Sequence, residues 1–167
     1  MIIDLLNITE HDIHELEPRD LDRAIAVNLL QWTNIMEEDF HGIKILRGTP
    51  YDSNKGGIPL PSFSDNFNNI AEVIETLVED CRLCMEINRY NGVTSITLYD
   101  KDQDLEYVSC DYNHNKVPRL ICEAALKYLA DLPYEPITKE AEVHVCNMSV
   151  LPSGLMGEDM HTITQQC

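Results

Sequence analysis

The sequence predicts an α+β domain: an antiparallel three-stranded sheet with flanking helices, preceded by an N-terminal helix and followed by a strand-containing extension. Three observations predict it. Asn91-Gly92 sits between two alternating segments and suits a type I′ turn, where both positions need positive φ. Before this ribbon, Phe67, Ile70, Ala71, Ile74, Leu77 and Val78 recur at helical spacing, opposite Asn68, Asn69, Glu72, Glu75, Glu79 and Asp80. After it, Pro118 opens a second apolar helix through Leu120, Ile121, Ala124, Ala125, Tyr128 and Leu129.

Each element follows in order along the chain. Thr9-Glu10-His11-Asp12 resembles a capping box and starts a short helix to about Glu17, closed by Pro18. A second helix from Asp20 places Leu21, Ala24, Ile25, Asn28, Leu29 and Trp32 along one side. Phe40 to Leu46 predicts a short strand. Arg47 to Pro61, with Gly48, Gly56, Gly57 and three prolines, reads as a long loop, which in a compact domain is functional or mobile.

Ser62, Ser64 or Asp65 then caps the amphipathic helix. In the ribbon, Leu83–Tyr90 and Val93–Tyr99, a two-residue turn pairs Tyr90 with Val93, Ile87 with Ile96 and Met85 with Leu98. Those apolar pairs share one face, and Asn88–Ser95 and Glu86–Thr97 share the other. Turn chemistry and burial pattern therefore select one register. Asp100 to Asp104 makes the next turn and Leu105 to Asp111 the third strand. Residues 1–131 form the predicted domain. In 132–167, Pro133 and Pro136 break the chain, and Glu142 to Val150 alternates as one more strand for an edge, its own or a neighbour's.

The totals bound the function. The formal net charge is −17, from 29 acidic against 12 basic residues spread along the chain. Such a surface repels nucleic acid, anionic lipid and free nucleotides and attracts basic protein surfaces. The longest apolar run, around Ala24 to Leu30, is far short of the roughly 20 residues that span a bilayer. Met1-Ile2-Ile3-Asp4 lacks a basic region before an apolar core, which predicts no signal peptide, a cytoplasmic protein and six free thiols.

Candidate chemistry fails motif by motif. Cys81-Arg82-Leu83-Cys84 has no second clustered pair for zinc and straddles a helix end, whereas redox pairs open a helix. Asp100, Asp102 and Asp104 resemble a calcium loop, but Leu105 stands where glycine is needed and the flanks are strands. His11 and His14 sit one turn apart without the catalytic glutamate of a zinc-protease motif. Lys55-Gly56-Gly57 lacks Walker spacing. Double-stranded RNA-binding domains share the element order but need basic contacts that this chain lacks. The sequence thus predicts a protein without catalytic residues, metal or cofactor. Arg47, Lys55, Arg82, Arg89, Lys116 and Arg119 are the candidate contacts to a ligand or partner.

Asp20-Leu21-Asp22 through Val27 to Gln31-Trp32, Leu60-Pro61-Ser62-Phe63-Ser64, and Ile121-Cys122-Glu123-Ala124-Ala125-Leu126 together resemble the phage ABA-sandwich domain family over roughly residues 18–131. Glu123 stands where the family pattern has arginine. The resemblance implies a sheet packed between helices and an origin in phages or prophages of Gram-positive bacteria; it assigns no functional residues. Phage origin, charge and missing motifs together predict an accessory protein in the host cytoplasm that inhibits a host protein through its acidic surface. A homo-oligomeric sponge for a small nucleotide signal, a virion component and a metal-dependent enzyme are the alternatives.

Overall fold

The computed structural model describes residues 5–51, 53, 57–112 and 116–134, all within one compact unit, Met1–Glu135. The predicted strand at Glu142 to Val150 lies outside the described residues. The α+β class is as the sequence predicts, with one addition: there are two antiparallel three-stranded sheets, not one.

Helix α1 (Glu10–Glu15) starts on a complete capping box. The Asp12 carboxylate accepts the Thr9 N–H, and the Thr9 hydroxyl accepts the Asp12 N–H. Helix α2 (Pro18–Asn28) begins two residues earlier than expected, because Pro18 at its first turn needs no N–H partner. Leu21, Ala24, Ile25, Leu29 and Trp32 are buried as predicted.

The expected short strand at Phe40–Leu46 is instead part of a second hairpin, β1 (Thr33–Phe40) with β2 (Ile43–Thr49). The expected loop at 47–61 keeps its irregular backbone in its described residues except for the end of β2 and a two-residue strand β3 (Ile58–Pro59). The chain reverses at His41-Gly42, inside the predicted strand, with φ of 54° and 80°. Both positions take the left-handed conformation that a type I′ turn requires.

Helix α3 (Ile70–Glu75), extended by a π-helical turn (Thr76–Asp80), starts later than the serine caps suggest. Asp22 Oδ1 accepts the Ser64 N–H at 2.7 Å and Asn66 accepts the Asn68 N–H at 2.8 Å, so side chains hold this backbone in turns. Phe63 consequently fills the core, while Phe67, Ala71 and Val78, expected on the buried face, are exposed; Ile70, Val73 and Leu77 face inward.

The second sheet, β4 (Cys84–Tyr90), β5 (Val93–Asp100) and β6 (Leu105–Asp111), has the predicted register, including Tyr90↔Val93, Ile87↔Ile96 and Met85↔Leu98. Asp100 accepts the Asp102 and Gln103 N–H groups in the next turn, as a polar hairpin turn should. Helix α4 (Val117–Leu129) lies on β5 and β6 and also meets α1, α2 and α3. Its residues 117–126 are nearly all buried, which explains its lack of a polar face. It leaves β4 uncovered, so Ile87, on the predicted apolar face of the ribbon, is 47% exposed.

Candidate functional site

Three polar places can be built from the residues upward. The first lies between α1, α4 and β6. Glu123, 2% exposed, accepts Arg119 Nε at 2.7 Å and the Ser109 hydroxyl at 2.6 Å, with His14 Nδ1 at 3.6 Å. Arg119 Nη2 donates to the carbonyls of His14, in the last turn of α1, and Leu16, its C-cap. A buried carboxylate needs such partners to offset its lost hydration. Serine bonds the carboxylate here rather than the imidazole, so the cluster lacks the hydroxyl–imidazole contact of a nucleophilic triad. It ties α1 to α4.

The second is a cleft of about 300 Å³ between the start of α2 (Pro18, Arg19, Asp22), β2 (Lys44 to Leu46) and Leu60 to Asp65. Arg19 Nη1 donates to the Lys44 carbonyl at 2.6 Å, and its Nη2 lies 3.8 Å from Glu37. Burial pushes the Asp22 carboxyl up, against the lowering effect of the Ser64 N–H and the serine hydroxyls. The cleft is at the small end for ligand sites.

The third is the first sheet itself. Cross-strand pairs share a face, so Met36, Glu38 and Phe40 lie with Arg47, Ile45 and Ile43 on one side. Glu37 and Asp39 lie with Leu46 and Lys44 on the other, toward the buried Leu46. On the outer side Met36 is 53%, Phe40 59% and Ile43 66% exposed. Glu38 pairs with Arg47 at 3.0 Å and Glu37 with Lys44 at 2.9 Å; Lys44 holds the Glu37 carboxyl below its usual range.

No family model, curated protein or solved structure matches this chain.

The five predicted contact residues among the described ones do not converge. Arg47 spans Glu38 and the Gly57 carbonyl on the first sheet. Arg82, at φ 58°, and Arg89 stand exposed at opposite ends of β4. Lys116 pairs with Asp111 at 3.0 Å. That carboxylate shares a row with Thr94 and Arg89, so only Arg89 and Lys116 reach one end of the sheet. Arg119 is consumed in the Glu123 cluster, and Lys55 lies outside the described residues.

Cys81 ends the π-helical turn and Cys84 begins β4, the straddling arrangement the spacing suggested. Burial and Asp80 raise the Cys81 thiol, and burial raises Cys122 well above its ordinary value, the reverse of an activated nucleophile. Among the described residues no group of three or more His, Cys, Asp or Glu is placed to hold a metal ion, and no helix is long and apolar enough to cross a membrane. Sequence reasoning missed Arg19, Lys44 and the exposed β1–β2 ribbon. The one signal for the ribbon was His41-Gly42 between apolar Phe40 and Ile43.

Proposed function

We propose that this chain is a phage or prophage binding protein that inhibits a host protein by docking on its basic surface, without catalysing a reaction. The observation that carries the reading is the first sheet: an exposed apolar strip, Met36, Phe40 and Ile43, beside Glu38, with Glu37 and Asp39 on the reverse face of the same strand. Interfaces combine an apolar centre with a charged rim, and a net charge of −17 steers a cationic partner toward it. The buried carboxylates Glu123 and Asp22 are engaged in holding helices and turns, which supports a binding rather than a catalytic role. Tagged protein mixed with host lysate should retain a basic protein at low salt, release it at high salt and reduce its activity. Failure to retain any partner at low salt contradicts the reading.

A second reading, an oligomeric sponge for a small nucleotide, has the cleft with Arg19 and Lys44 in its favour. A nucleotide panel that gives no heat in calorimetry counts against it.

A further inference from the structure

From the free edge of the first sheet, and resting on the binding role above, we infer that strand β1 docks an extended, basic segment of the partner as a fourth strand. In an antiparallel pair closed by a two-residue turn, alternate residues bond across the seam and the others point outward. Phe40 and Ile43 flank the turn, so Glu38 and Met36 bond inward to β2, while Glu37 and Asp39 turn their N–H and C=O groups to the open side. The far edge of β2 bears this out: Leu46, opposite Glu37, presents its carbonyl outward to the Leu60 N–H at 2.8 Å. Among the described residues nothing pairs with β1 on its open side.

Charge selects the occupant. Three consecutive carboxylates, Glu37, Glu38 and Asp39, run along this edge. A second copy adding antiparallel would bring two such runs together, and edge strands use charge in this way to block self-pairing. Two molecules of −17 also repel at long range. A segment alternating Lys or Arg with apolar residues meets the opposite conditions. Its backbone completes the ladder, its cations share the face of Glu37 and Asp39, and its apolar side chains share the other face with Phe40 and Met36. Lys44, the present partner of Glu37, is held in an exposed ion pair that a new cation can displace.

The two ends of the edge fit this role. A bulge between Thr33 and Met36, with Asn34 at φ 53°, breaks the regular ladder at one end and leaves residues 36–40 as the open stretch. The other free edges differ. Strand β4 carries Glu86, Asn88 and Arg89 without an acidic run, and on β6 the Val108 and Glu106 carbonyls accept Lys127 Nζ and the Tyr134 N–H.

The test uses the full chain and a peptide of about eight residues alternating lysine and valine, with a glutamate–valine peptide as control. Hydrogen exchange read by NMR should slow at Glu37 and Asp39 by about tenfold or more on adding the lysine peptide at low salt. The control peptide should leave them unchanged. Glu37→Pro removes an outward N–H without touching the ladder to β2, and Glu37→Lys reverses the charge on the face that the peptide's cations take. Each should weaken the peptide about tenfold or more while β5 keeps its protection, which shows the fold intact.

Peptide binding with protection elsewhere overturns the edge assignment and leaves the binding role standing. Absence of peptide binding also overturns it, and if lysate capture fails as well the binding role falls too. Protection of Glu37 and Asp39 before any peptide is added overturns it as well. A dimer mass by native mass spectrometry then makes the occupant a second copy, and a monomer mass makes it a segment of the same chain.

Discussion

Two hairpins in this molecule turn in the same way and rest on different foundations. Asn91-Gly92 (φ 48° and 81°) and His41-Gly42 (φ 54° and 80°) both close two-residue loops between antiparallel strands. The later ribbon pairs with β6 under α4 and contributes Ile96 and Leu98, both fully buried, to the core. The earlier one contributes Leu46, while seven of the eight residues of β1 are exposed. Turn chemistry alone makes a ribbon; a covering helix turns one into a foundation. A ribbon held mainly by its own ladder and one buried column keeps an edge and a face available to another molecule.

Substitutions that separate the two sheets test the comparison. Leu98→Ala removes a fully buried side chain beneath α4 and should cost about 2–5 kcal/mol in denaturant unfolding. Ile43→Ala, on the open sheet, should change stability by no more than about 0.5 kcal/mol. Equal losses would mean that both sheets are core. Where the first sheet meets Trp32, a Cβ on Gly48 would lie 2.9 Å from Ile35 and 3.1 Å from the Trp32 ring. Gly48→Ala should therefore cost about 1–3 kcal/mol and alter the emission of this single tryptophan. Smaller still, His41→Asn puts the better left-handed residue in the turn and should stabilise the first hairpin by about 0.5 kcal/mol or less, read from its melting midpoint.

Asp22, which joins α2 to the Ser62–Ser64 turn, adds a pH test. Its carboxyl is raised in the folded protein, so its contribution is fully present below the ordinary carboxylate value near 3.8 and is lost as pH climbs through the raised value. Asp22→Asn keeps an acceptor for the Ser64 N–H. Relative to wild type it should gain stability across that rise and show no such gain at lower pH. A difference that does not vary with pH would remove the titration argument.

The same contrast explains what was legible in the sequence. The later ribbon announced itself because Met85, Ile87, Ile96 and Leu98 alternate with polar residues in a register that the Asn-Gly turn independently demands. Strand β1 reads Met36-Glu37-Glu38-Asp39-Phe40, where the acid run hides the period of two. The alternation is faint because most of the strand is exposed. Similarly, the helix start was misplaced because Ser62, Ser64 and Asp65 look like caps. Asp22, 42 residues before Ser64, takes the serine N–H, a distant contact that no local pattern displays. Of the candidate site, the acidity was plain from composition. The free edge became visible only once β1 existed.

The most direct measurement is native-state hydrogen exchange of the free protein, amide by amide. Strand β5 should exchange slowly, near the limit set by global unfolding, while Glu37 and Asp39 on β1 should exchange several orders of magnitude faster through their open edge. Equal protection of β1 and β5 would contradict it, because the first sheet would then have no edge left to offer a partner.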